Sequence, residues 1–277
     1  MTPAARSDAP ARSRRRTPPR RVRIVGPGRA GTSLALALTN AGWDVAPMLG
    51  RADDPSRAAE GVDLLVLATP DDEIRAVARA VGPADGTVIA HLAGARGLEV
   101  LAPHPRRAAI HPLVSLPTPE LGARRLVGGW FAVAGDAMAD EVVQALRGRS
   151  FTVDDADRAT YHAAAVIASN HLVALLGQAE RLAESVGVPF AAYLDLATDT
   201  LANVAELGPV ASITGPAARG DEATLRRHLR ALPPDERRAY RGMIHAARRL
   251  AETRDASDAE AAERRAATPR RREADRR

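Results

Sequence analysis

The chain has 277 residues, 45% of them hydrophobic and 26% charged, with no cysteine and a formal net charge of +5. That length predicts one large domain or two ordinary ones, and the apolar content excludes a wholly disordered chain. Zero Cys excludes disulfides, thiolate nucleophiles and cysteine-held metal centres and agrees with a cytoplasmic protein, while all 39 basic residues being Arg excludes every lysine chemistry.

The positive charge is unevenly placed. Residues 1–21 carry +6, residues 22–250 carry −2 and residues 251–277 carry +1. Residues 1–20 are rich in Pro, Arg, Ser and Ala, so a disordered basic leader is expected. Its arginines are read as solvated, and neither nucleic acid nor a membrane is expected as a partner. No run reaches the roughly 18 uninterrupted apolar residues of a membrane span.

A β-branched strand over 22–25 runs into Gly26-Pro27-Gly28-Arg29-Ala30-Gly31, and a helix is expected from 32 to 41. Glycines at this spacing, between a strand and a helix, permit a tight turn, a close backbone approach to a pyrophosphate and helix–strand packing. The helix N-terminus then presents free N–H groups to the phosphates. The second strand is expected over 43–49. It ends in Met48-Leu49-Gly50-Arg51, where an NAD site would carry a carboxylate, so Arg51 favours a 2′-phosphate and NADP(H). Asp53, two residues on, is the alternative specificity residue.

The third strand, 62–68, is apolar enough to be buried on both faces. After it, Thr69-Pro70-Asp71-Asp72-Glu73 either lies against the cofactor or caps the helix expected over 71–81, through Thr69 or Asp71. A fourth strand over 87–92 ends near His91 and Gly94, and Gly94 permits a close backbone approach. A fifth, over 108–111, ends in His111-Pro112. Weaker strand signals at 130–133 and 151–153 flank a helix over 136–146. Alternating strands and helices predict a doubly wound parallel sheet over 21–153.

Beyond 154 the strand signals stop, predicting an all-α domain over 154–252, with helices at 157–186, 189–207, 221–232 and 234–249. Residues 253–277 are expected to be disordered or frayed. The first helix carries Tyr161-His162 and Ser169-Asn170-His171; at 3.6 residues per turn His162 and Ser169 lie on one line, with Asn170 beside it. This face is either helix-packing polarity or a wall of the substrate cleft. Thr214-Gly215-Pro216 and Arg219, ahead of Asp221, either form an ordinary capped loop or hold a carboxylate. The seven histidines show no dense ligand cluster, so no metal is expected.

These segments together, with Ala68-Thr69-Pro70-Asp71-Asp72, Ile110-His111-Pro112, the run from Tyr161 to Asn170 and the run from Ile213 to Asp221, resemble the bacterial proteins that join a Rossmann-like domain to a DUF2520 domain. The resemblance covers about residues 21–250. It implies kinship with the 6-phosphogluconate-dehydrogenase-like reductases, including pyrroline-5-carboxylate and ketopantoate reductases, and a homodimer joined through the helical domain. Related β-hydroxyacid dehydrogenases place a Lys and, four residues later, an Asn on this helix. Here no Lys exists and Val166 follows His162 by four.

The combined reading is an NADP(H)-dependent reductase of a small carboxylate-bearing 2-oxo acid, with ketopantoate the first candidate. His162 or His111 would donate the proton, with Ser169 and Asn170 orienting the carbonyl. The cofactor would lie on Gly26, Gly28, Arg29, Ala30, Gly31, Arg51, Thr69, Pro70 and Gly94, and the carboxylate on Thr214, Gly215 and Arg219. The alternatives are an imine reductase of the pyrroline-5-carboxylate type and a non-catalytic NADP-binding sensor.

Overall fold

A computed structural model describes residues 19–267. Residues 1–18 of the expected leader and 268–277 of the expected tail lie outside them. The first compact unit ends at Asn170 and the second begins at His171.

In the first unit seven strands form one sheet in the order β2-β1-β3-β4-β5-β6-β7. They are β1 (Arg21–Val25), β2 (Asp44–Val45), β3 (Leu64–Leu67), β4 (Val88–His91), β5 (Arg107–Pro112), β6 (Trp130–Gly135) and β7 (Arg149–Thr152). All neighbours are parallel except β5 and β6. Helices α1 (Arg29–Asn40), α2 (Ile74–Ala80), α3 (Pro119–Leu126) and α4 (Met138–Ala145) complete the winding. The doubly wound sheet expected of this segment is present.

The alternation of side chains along β3 explains its continuous apolar run. Leu64 and Val66 pack into the core cluster with Leu34 and Leu38 of α1, whereas Leu65 and Leu67 pack with Ile74 and Ala78 of α2. A strand covered on both faces has no position for a polar residue. The second strand is shorter than expected. Ala46 and Leu49 still donate to the Val22 and Ile24 carbonyls (2.8 and 3.0 Å), but Pro47 between them has no N–H, so the ladder breaks there.

Strand order reverses at β1, whose chain neighbours β2 and β3 lie on its two sides. Doubly wound sheets bind ligands in the crevice at the carboxyl ends of such strands. The ends of β1 and β3 meet there closely. A Cβ on Gly26, whose φ is +106°, would stand 2.5 Å from the Ala68 carbonyl oxygen.

The expected long helix is present but not uniform. Helix α5 (Arg158–Val166) passes through a π turn, Ile167–His171, before α6 (Leu172–Ser185). The second unit continues with α7 (Phe190–Leu207), the short α8 (Pro209–Ser212), α9 (Glu222–Ala231) and α10 (Arg237–Ala267). Asp221 caps α9 by accepting from the Thr224 N–H at 3.0 Å. The fraying or disorder expected from residue 253 gives way to helix as far as Ala267. Ala251 is buried there, the Arg254 guanidinium donates to the Ile213 carbonyl (3.3 Å), and Glu260 pairs with Arg264 one turn on. Such spaced opposite charges, among helix-favouring Ala, Glu and Arg, support the helix locally.

Candidate active site

The three fingerprint glycines do different work. Gly31 carries α1 against β1; a Cβ there would collide with the Gly26 carbonyl oxygen and crowd Ala68 and Ile24, at 3.1 and 3.2 Å. Gly28 has no such reason. Its backbone is extended (φ −75°, ψ −177°), and nothing lies within 4 Å of a Cβ placed on it. No side chain caps α1, so the N–H groups of its first turn, Arg29 and Ala30 among them, have no capping acceptor. An exposed glycine over a bare helix N-terminus leaves room for a phosphate to approach the backbone.

Around this cradle Arg51 is 83% exposed and pairs with Glu73 across the ends of two loops. Asp53, the competing specificity residue, is committed to its own turn and accepts from the Gly50 N–H at 2.7 Å. Thr69 and Asp71 do not cap α2. That helix starts later, at Ile74, with Glu73 at its cap and no side-chain hydrogen bond. The Thr69 hydroxyl oxygen is instead buried without a partner, beside the exposed Pro70. An orphaned hydroxyl at the carboxyl end of β3 is the kind of group that a bound ligand satisfies. A cleft with a free glycine, a bare helix terminus, an exposed arginine and an unpaired hydroxyl fits a phosphorylated dinucleotide.

At the ends of β4 and β5 the histidines separate by role. His91 is fully buried, accepts from the Ala93 N–H at Nδ1 (3.2 Å) and bonds the Gly97 carbonyl through Nε2 (3.2 Å). Both nitrogens are thus used to hold a loop. His111 bonds a side chain instead. Its Nδ1 lies 2.6 Å from the Tyr161 hydroxyl, and its ring meets those of Tyr161 and His162 edge-on, with centroids 5.5 and 5.9 Å apart. The close approach predicted for Gly94 is to these two rings. A Cβ on Gly94 would come within 2.8 Å of both His111 Nε2 and His162 Cδ2.

Burial, with lesser contributions from the neighbouring His162, Arg158 and His91, pulls the His111 ring from 6.5 down to about 4. Near neutral pH it is therefore an uncharged imidazole and offers no imidazolium proton, contrary to its expected role as acid. Burial also raises the Tyr161 phenol, with Arg158 opposing. Tyr161 is the residue that sequence reasoning left without a role. A ladder of rings seats it, Phe151 at 5.8 Å and then Trp130 at 6.1 Å from Phe151.

The line drawn through His162 and Ser169 does not hold. The π turn adds a residue to that stretch and rotates the side chains beyond it. Ser169 donates to the Ala165 carbonyl (2.7 Å) and lies 2.9 Å from the Asn170 side-chain oxygen, so its hydroxyl is occupied within the helix. Thr214, Gly215 and Arg219 belong to the second unit. Thr214 and Arg219 are exposed there, and Gly215, at φ +92°, lets the chain turn so that its carbonyl accepts from the Arg219 N–H at 3.2 Å. No metal-binding cluster occurs among the described residues.

Family models account for both halves. A Rossmann-like domain matches residues 7–117, and the domain of unknown function DUF2520 matches residues 131–247. The two matches follow one another along the chain, the Rossmann-like one first and DUF2520 second. The DUF2520 match begins inside the sheet, at β6, so it takes in the last two strands and Tyr161 along with the helices. No curated protein matches in sequence. Among solved structures, a candidate NADP oxidoreductase of Bacteroides fragilis is 22% identical, with a TM-score of 0.72 over 83% of this chain and 98% of that one. A reductive aminase of Aspergillus terreus, solved with NADPH4, cyclohexanone and allyl amine, is 19% identical, with a TM-score of 0.61 over 83% and 94%. The NADP-bound pyrroline carboxylate reductase of Plasmodium falciparum is 12% identical, with a TM-score of 0.56 over 84% and 98%. These likenesses establish a shared fold.

Proposed function

We propose that this protein is a cytoplasmic NADP(H)-dependent reductase of a small carboxylate-bearing 2-oxo acid, with ketopantoate the first substrate to try. The observation that carries the reading is the neutral His111–Tyr161 pair at the carboxyl end of the sheet whose first turn leaves Gly28 free. Residues 26–31 would hold the pyrophosphate, Arg51 the 2′-phosphate, and Thr69 and Pro70 the adjoining sugar or ring. Bound NADPH supplies a hydride.

The protein's own part is then to hold and protonate. With Nδ1–H of neutral His111 donating to the Tyr161 oxygen, the phenol proton is free for the nascent alkoxide. The same N–H stabilises the phenolate left behind, and bulk solvent returns the proton. His162, edge-on to His111, walls the pair, and Asn170 would orient the carbonyl. The B. fragilis, A. terreus and P. falciparum proteins support nicotinamide-dependent reduction in this fold, and the last two favour imine reduction as the second reading. A protonated imine needs no proton from Tyr161, so the two readings differ in their demand on that residue.

NADPH oxidation should be followed with a panel of 2-oxo acids and cyclic imines. Turnover on at least one is expected, with NADPH preferred over NADH. Arg51→Asp should lower that preference about 10–100-fold, the worth of a charge-assisted hydrogen bond. No turnover on any compound, with NADPH bound, would favour the sensor reading; an unchanged preference in the variant would remove Arg51 from the site.

We also propose a homodimer through the helical domain. Helix α7 has no buried residue and exposes Leu194, Leu196, Leu201 and Leu207, more apolar surface than a helix keeps in water without a partner. Residues 155–185 form a helix long and apolar enough, by length and composition, to cross a membrane. Ser169, Asn170, His171 and Gln178 within it suit a protein interface better than lipid. Sedimentation should give a dimer, and Leu196→Asp with Leu201→Asp a monomer; a wild-type monomer would overturn this.

A further inference from the structure

Arg158 opens α5 and is the largest fully buried side chain among the described residues, 1% exposed. Its Nε donates to Asp155 at 2.8 Å, but both terminal amino nitrogens are buried with no acceptor. Asp155 is itself 59% exposed and so screens the charge only in part. Buried guanidinium groups are ordinarily paired on every side. On a helix, positions 158, 161 and 162 share a face, which sets the cation beside Tyr161 and His162.

We propose that Arg158 is a positioning residue of the proton-donating site: its half-matched buried charge stabilises Tyr161 as the phenol releases its proton, in a chain that has no lysine to do so. This rests on Tyr161 as the donor proposed above. In the step, the Tyr161 O–H bond breaks, the proton passes to the substrate alkoxide, and the electron pair stays on the phenolate that faces Arg158. The remaining charged or titratable groups around the pair are few. His111 faces Tyr161 from β5, and His162 and His91 face His111. The Asp155 carboxylate and that of Glu99 converge on Gly97, where a Cβ would come within 2.6 Å of the former. Asp71 and Glu99 reach His91. The direction in which Arg158 acts on both Tyr161 and His111, toward lower proton affinity, agrees.

The test reads the free protein, so it is independent of turnover. The chain has three tyrosines, Tyr161, Tyr193 and Tyr240, and subtracting the phenolate absorbance titration of Tyr161→Phe isolates the first. Arg158→Gln should raise the Tyr161 midpoint by about one pH unit or more; Arg158→Lys should return it toward wild type, and Asp155→Asn should lower it. In an active enzyme the alkaline limb of kcat/KM should follow these shifts. A folded Arg158→Gln protein with the wild-type midpoint would overturn the proposal. Should that variant not fold, Asp155→Asn decides, and a midpoint at or above wild type overturns it. Shifted midpoints in a protein that reduces nothing would strike the proposed function and leave the electrostatic pairing standing.

Discussion

Tyr161→Phe should lower kcat for carbonyl reduction by about 10²–10⁴-fold, the usual worth of a positioned acid, with little change in NADPH affinity. The substitution removes one oxygen from a ring held by Phe151 on one side and His111 on the other, so packing is kept and the fold should hold. It takes away the hydroxyl that His111 Nδ1 meets at 2.6 Å. The pH behaviour sharpens the test. His111 is held near 4, well below its ordinary 6.5, so in the folded protein it protonates only as the pH nears 4. An unfolded chain takes that proton up around 6.5. Stability from this residue is therefore complete above pH 6.5 and is lost as the pH falls from there through 4. Wild-type kcat/KM should show no acid limb from His111 between pH 5 and 7, and His162→Ala tests the other histidine. If Tyr161→Phe keeps most carbonyl turnover, the phenol is not the acid. If it keeps imine turnover alone, the second reading wins, because a protonated imine brings its own proton.

How much of the molecule is legible in its sequence depends on the range of the interactions involved. The sheet is legible because periodicity is local: an apolar run like that of β3 can only be buried on both sides, and a Gly-x-Gly-x-x-Gly turn between strand and helix has few other uses. The antiparallel turn at β5–β6 and the truncation of β2 at Pro47 depend on pairing between distant residues, and only the second leaves a mark in the sequence. The site is legible in parts. His111 and His162 stand out by their places at a strand end and on a helix, but their meeting over Gly94 joins residues far apart in the chain. The His111 charge state depends on burial, which no spacing reports. Reading the long helix as uninterrupted puts Ser169 on the wrong line, since nothing in Ile167-Ala168-Ser169-Asn170-His171 announces a π turn. Arg158 has one usable signal, its place three and four residues before Tyr161 and His162, and among 39 arginines that signal does not stand out.

Gly28 and Gly31 should respond to the same kind of change in opposite ways. Gly31→Ala forces a methyl group against the Gly26 carbonyl oxygen, with Ala68 and Ile24 close behind. Backbone cannot swing aside as a flexible side chain would, and α1 must lift from β1. The cost should be about 3 kcal/mol or more, at the top of the range for overpacking, and the melting temperature should fall by about 6–12 °C. Gly28→Val puts its side chain into open space, at backbone angles any residue adopts. It loses only the preference for glycine over valine at a helix cap, about 1 kcal/mol, or roughly 2–4 °C. Yet Gly28→Val should weaken NADPH about 100-fold by calorimetry, because the side chain stands where the pyrophosphate must touch the backbone. The contrast separates a turn kept for packing from a turn kept for a ligand. Were Gly28→Val to bind NADPH as the wild type does, the first turn of α1 would have no phosphate to hold, and Arg51, Thr69 and Tyr161 would lose the cofactor that gives them a common purpose.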